Sequence, residues 1–190
     1  TSISIPASTN IGMNAFRWSG TVNNKLTSVT FSGTSNIPTS IGENAFFACR
    51  VLTSITIPVN VTSIGVKAFY DNYLLTSVDF ANGSQLTSIG VNAFQYCTVL
   101  ASVTNIPTST HIGTSAFTSL STLTTVTFSS STSSISGSIG NNAFESCTKL
   151  TSINILSSIN SEPLTTPYDI GAYAFTHCTL LTSISIPAST

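Results

Sequence analysis

Four cysteines, Cys49, Cys97, Cys147 and Cys178, each stand seven residues after a glycine. Zinc needs clustered ligands such as C-x₂-C. Here the thiols come one per repeat, so no metal site is expected. Ser19, Asn72 or Leu120 fills the same place elsewhere, which marks it as inner or half-buried. Cys147 and Cys178 lie in neighbouring repeats. Cα atoms ~5 Å apart fall inside the disulfide range, but parallel side chains hold the Cβ atoms beyond the usual ~3.8 Å. Buried free thiols are expected, with one Cys147–Cys178 disulfide as the alternative. His111 and His177 occupy different places in their repeats, and no G-x-S-x-G elbow accompanies the many serines. Both read as surface histidines. Asp79 stands alone and makes no acid/base pair. The sequence therefore points to no catalytic residue and no cofactor. Trp18 reads as a lid on the core, with an anchor in a contact as the alternative. Asn60-Val-Thr62 and Asn82-Gly-Ser84 are N-x-[ST] sequons, possible N-glycosylation sites in a secreted eukaryotic protein and otherwise unused.

These residues hang on a recurring block. Ile64-Gly65-Val66-Lys67-Ala68-Phe69 returns around Gly12, Gly42, Gly90, Gly113, Gly140 and Gly171. Each copy keeps the Ala and the Phe: Phe16, Phe46, Phe69, Phe94, Phe117, Phe144 and Phe175. A Leu follows each one, from Leu26 to Leu181, and then a short β-branched run. Such a period means an array of coils in which each contacts its neighbours. The segment 1–190 reads as a single solenoid of about seven coils. Residues 182–190 repeat residues 1–9 identically, so the segment is expected to belong to a longer periodic array.

The strand template is Leu52-Thr-Ser-Ile-Thr-Ile57-Pro58, with equivalents such as Leu75 to Phe80 and Leu100 to Asn105. Alternation with period two buries one face and wets the other. The wet face is hydroxyl throughout, apart from Asp79 and Asn154. Gly is expected to make a sharp corner, through positive φ or close backbone approach. Ala-Phe and the following Leu suit one helical or 3₁₀ turn. The seven Phe rings should stack along the interior. Inserts at Arg17 to Lys25, Ser129 to Gly140 and Leu156 to Gly171 leave the pattern in phase and should protrude as loops.

Apolar residues make up 41% of the chain, but charged residues only 6%, against ~25% in typical domains. About a third of the chain is Ser or Thr. Five basic and six acidic residues give a formal charge of −1. That leaves no electrostatic footprint for nucleic acid or anionic lipid. The apolar runs are too short to insert into a membrane.

The pattern L-T-S-[IV]-x-[IF]-P…S-I-G-x-x-A-F-x-x-C-x-x-L resembles the BspA-like leucine-rich repeat family. It is carried by Leu52 to Pro58, Ser63-Ile64-Gly65, Ala68-Phe69, Phe94-Gln-Tyr-Cys97 and Leu100. The resemblance implies a right-handed coil with one parallel β-sheet face and short helical or 3₁₀ turns opposite. It also implies an extracellular or cell-surface location, often with a role in adhesion, and no catalytic or cofactor-binding residue.

Three functions are weighed. The first and last strands look like interior copies, without the polar caps that stable solenoids use. Their open edges template another strand. The chain is therefore expected to be a non-enzymatic unit of an extracellular fibre or surface array, self-associating end to end. The alternative is an adhesion or ligand-binding module for glycans or surface proteins, although the wet strand face lacks aromatic and Arg anchors. A more remote alternative is ice binding through the Ser/Thr lattice.

Overall fold

A computed structural model describes residues 1–20, 25–129, 136–155 and 168–186. Its strands are β1 (Ser2–Pro6), β2 (Ser28–Ser32), β3 (Thr39–Ile41), β4 (Ser54–Ile57), β5 (Val61–Ile64), β6 (Ser77–Phe80) and β7 (Ser88–Ile89). They continue as β8 (Ser102–Pro107), β9 (His111–Ile112), β10 (Thr125–Ser129), β11 (Ser138–Ile139), β12 (Ser152–Asn154), β13 (Asp169–Ile170) and β14 (Ser183–Ser185).

All pairings are parallel, because every coil runs the same way and each strand meets its equivalent in the next coil. One sheet has the order β14-β12-β10-β8-β6-β4, and β1 pairs with β2 at its start. A second sheet, β13-β11-β9-β7-β5-β3, is built from the residues leading into each glycine. The sequence analysis expected one sheet. The second arises because the Ser-Ile before Gly is apolar at one position in two and repeats in register, as in Ile64↔Ile89 and Ile89↔Ile112.

The described residues contain no helix, which corrects the expected helical turn. The reason is backbone handedness. The second residue after each glycine has positive φ: Asn14 (58°), Asn44 (52°), Lys67 (53°), Asn92 (55°), Ser115 (54°), Asn142 (56°) and Tyr173 (59°). So does the sixth in every coil but the first, as at Ala48 (56°), Asp71 (65°) and His177 (60°). A right-handed helix cannot pass through left-handed residues. The segment is instead a run of overlapping turns. In one coil the N–H groups of Ala45, Phe47 and Cys49 donate to Gly42, Asn44 and Phe46. The intervening N–H groups of Asn44, Phe46 and Ala48 donate to Val66, Ala68 and Tyr70 of the next coil.

The corner glycines serve close approach. A Cβ on Gly65 would lie 2.5 Å from the backbone of Glu43, and one on Gly90 2.5 Å from that of Gly65. The positive φ that the sequence analysis also allowed at these glycines falls two residues later instead.

Between the sheets and this turn column lies one apolar core. The seven Phe rings stack continuously, with centroids 5.0–5.6 Å apart and planes within 10°. Interior Phe46 to Phe144 are fully buried, whereas Phe16 and Phe175 are partly so. Threonines explain much of the hydroxyl content. Thr76, Thr124 and Thr182 Oγ1 donate to the carbonyls of Thr53, Ala101 and Thr151, one coil earlier.

One strand departs from template. The equivalent of Leu75 to Phe80 was expected at Leu100 to Asn105, which puts Asn105 at an inward position. The structure inserts a bulge there: Val103 pairs with Val126, but Ile106 pairs with Phe128. Asn105 takes φ 62°, and Ile106 fills the core in its place. Burying an unpaired amide would cost more than the bulge.

Candidate functional site

The thiol column is structural. Each Cys Sγ donates to the carbonyl of the core Phe one coil back: Cys49 to Phe16 (3.3 Å), Cys97 to Phe69 (3.2 Å), Cys147 to Phe117 (3.1 Å) and Cys178 to Phe144 (3.0 Å). Asn72 does the same work with Nδ2, donating to Phe46 at 2.9 Å and Phe69 at 2.7 Å. This explains why Cys and Asn interchange there: the turn leaves a carbonyl that needs a small buried donor. None of the four is joined in a disulfide. Burial pushes Cys97 and Cys147 up to about 12 and also raises Cys178. A thiol held neutral is a poor nucleophile.

The other candidates scatter. His111 Nδ1 and Ser138 Oγ lie 2.9 Å apart on the surface, while His177 sits on the last turn. Asp79 accepts from Thr104 Oγ1 and from Asn105 Nδ2 at 2.9 Å, so it is tied to the bulge. The described residues contain no group of three His, Cys, Asp or Glu that could hold a metal ion. Trp18 is half-buried, with its ring against Gly20.

The sequons part company. Asn82 is exposed. Asn60 is fully buried, and its Nδ2 donates to Ala7 O (2.8 Å), Ile37 O (2.7 Å) and Thr39 Oγ1 (3.2 Å). Its amide nitrogen is used by the fold, so the folded chain does not offer Asn60 to a glycan.

Sequence reasoning looked for anchors on the strand face and missed the opposite face. Five residues after Gly42 and Gly65 an aromatic side chain lies partly exposed on the turn column. Phe47 and Tyr70 stack there at 5.1 Å, and Tyr96 meets Tyr70 at 85°. Arg17 lies 5.0 Å over Phe47, Lys67 5.6 Å over Tyr70, and Arg50 5.0 Å over Tyr73. Arg50 Nε and Nη2 both bind Asp71 Oδ2, at 3.0 and 2.7 Å. The bond and charge of Asp71 raise the Arg50 pKa. Tyr73 is raised first by hydrogen bonding to Asp71, and Tyr70 by burial and then by Tyr96. The patch is thus a set of cations and protonated phenols around one engaged carboxylate. The signal in the sequence was the clustering of Arg17, Arg50 and Lys67, three of only five basic residues.

Coils in register and a continuous Phe spine define a leucine-rich repeat solenoid. The model of the BspA type leucine-rich repeat region matches residues 9–138 and 137–190 in six copies, and the chain belongs to that family. Family modules of this kind are generally binding or structural. No curated protein matches the sequence.

Among solved structures, the chain is similar to the pneumococcal vaccine antigen PcpA, at 21% identity and TM-score 0.62, over 98% of this chain and 50% of that one. It is similar to a leucine-rich repeat protein from Eubacterium ventriosum, at 21% and 0.66, over 100% and 44%. A leucine-rich repeat protein of T. pallidum matches at 20% and 0.52, over 95% and 82%. At these identities the likeness is one of fold. The chain spans about half the length of the first two.

Proposed function

We propose that this chain is a non-catalytic, surface-displayed solenoid segment whose coils continue in register beyond both flanks, forming an extracellular rod or array. The observation that carries the reading is the complementarity of the two flanks. Where the backbone N–H groups two, four and six residues after a glycine bond across coils, they donate to the following coil. The last turn therefore offers the N–H groups of Tyr173, Phe175 and His177, and the first offers the carbonyls of Met13, Ala15 and Arg17. Tyr173, Leu180 and Ile184 are exposed on the last coil, and Met13 on the first. A heterologous contact between such flanks propagates without closing. A surface location is supported by the family and by likeness to a protein named as a vaccine antigen.

The junction has a geometric condition. β14 repeats β1 and already occupies the slot in which a following copy would place its own β1. Growth therefore proceeds by covalent continuation of the coil or by exchange of β14 for the incoming strand. Electron micrographs of the purified chain at high concentration test the reading. Rods that lengthen in steps of about 34 Å, seven coils at ~4.8 Å, support it. Compact monomers at all concentrations, together with kinked tandem fusions of residues 1–181 and 1–190, overturn it. The ice-binding alternative is not favoured, because the bulge at Asn105 interrupts the hydroxyl lattice.

A further inference from the structure

The patch on the turn face is not required by the solenoid. In the later coils the position of Phe47 and Tyr70 is filled by Gln95, Thr118, Glu145 and Thr176, and the turns after Gly90, Gly113 and Gly140 keep the cross-coil bonds of their second and fourth residues. The aromatic and cationic rungs are additions to a scaffold that closes without them. Tyr73 and Tyr96 are 41% and 47% exposed, so these rings contribute less to the core than their size allows.

We propose that this patch, centred on Arg17, Arg50, Lys67, Tyr70, Tyr73 and Tyr96, binds an acidic oligosaccharide bearing carboxylate groups. Three features select that class. First, the cations face a single carboxylate, Asp71, which already holds Arg50. Glu43 lies off the aromatic column, near Asn44 Nδ2 at 3.3 Å. An anion is the complementary charge, and the Arg50 side chain is exposed to meet it. Second, the rings of Phe47 and Tyr70 cover each other, but Tyr96 turns out of the column and frees a face for the C–H surface of a sugar. Phenol hydroxyls at the rim match sugar hydroxyls. Third, the spacing fits. Successive rings stand 5.1 Å apart, close to the length of one pyranose unit in a chain, whereas an extended peptide advances ~3.3 Å per residue. The patch crosses four coils, roughly 15 Å. That is the length of a short oligosaccharide. The inference is independent of end-to-end growth and applies equally to a monomer.

Affinity electrophoresis of the intact chain tests it, in gels containing polygalacturonate, neutral dextran or poly-glutamate at physiological salt. Retardation by polygalacturonate alone is expected. Arg17→Ala and Tyr96→Ala, both at exposed side chains, should each weaken it at least tenfold, while Thr118→Ala in the same column should not. Circular dichroism confirms that the variants are folded. Equal retardation by poly-glutamate assigns the patch to acidic peptides and overturns the proposal. So does retention that survives both substitutions, or no retardation at all.

Discussion

At the scale of single residues, the fold uses side chains as donors for backbone groups that its turns leave exposed. Cys97 illustrates the consequence. It is neutral when folded, with its pKa pushed up to about 12, while an unfolded thiol ionises near ~8.5. Its contribution to stability is complete below the unfolded value and is lost as pH rises from there towards the folded one. The loss is about 1.4 kcal/mol per pH unit for each such thiol. Thermal melts at pH 7 and pH 10 should show this alkaline loss shrinking in Cys97→Ser, which keeps a donor for Phe69 without the ionisation. An undiminished loss would show that the thiol is not its source. Gly90 supplies a second test. A methyl group there meets the neighbouring coil's backbone at 2.5 Å, so Gly90→Ala should cost about 1–3 kcal/mol in denaturant unfolding.

At the scale of elements, the rungs differ in value along the stack. Phe94 is fully buried between two rings, and Phe94→Ala should cost about 3–5 kcal/mol. Phe16 has one ring neighbour and partial exposure, so Phe16→Ala should cost clearly less by the same measurement. The Phe spine was legible because Ala-Phe recurs at fixed distance from Gly in all seven copies. The turn that carries it was read wrongly as helical. The signal was present: Asn stands two residues after Gly in four copies, and Asn tolerates left-handed backbone better than most residues. Ser115 is held there at φ 54°. Ser115→Gly should therefore stabilise the chain by up to about 1 kcal/mol, a rise in melting temperature that checks the turn assignment. The aromatic and cationic patch could not be read in the same way. Its members come from different places in four repeats, and they meet only once coil-to-coil register is known. The bulge at Asn105 escaped for a related reason: alternation counts residues, and a bulge adds one.

At the scale of the whole molecule, the repeat and its family were legible from one chain, but the direction of its bonding was not. That direction makes the two flanks unlike and complementary. If β14 blocks the slot for an incoming β1, a chain ending at Leu181 should self-associate more tightly than residues 1–190. Sedimentation of the two at equal concentration decides this, and equal behaviour would remove β14 from the junction.

The bonds between coils lie along the solenoid axis, and each rung is held by its own short set of them. A pull along that axis therefore loads one interface at a time and peels coils off in sequence. A pull across it strains many bonds together. Such a rod would yield gradually under tension from its tip, absorbing work rung by rung, and still resist being cut sideways.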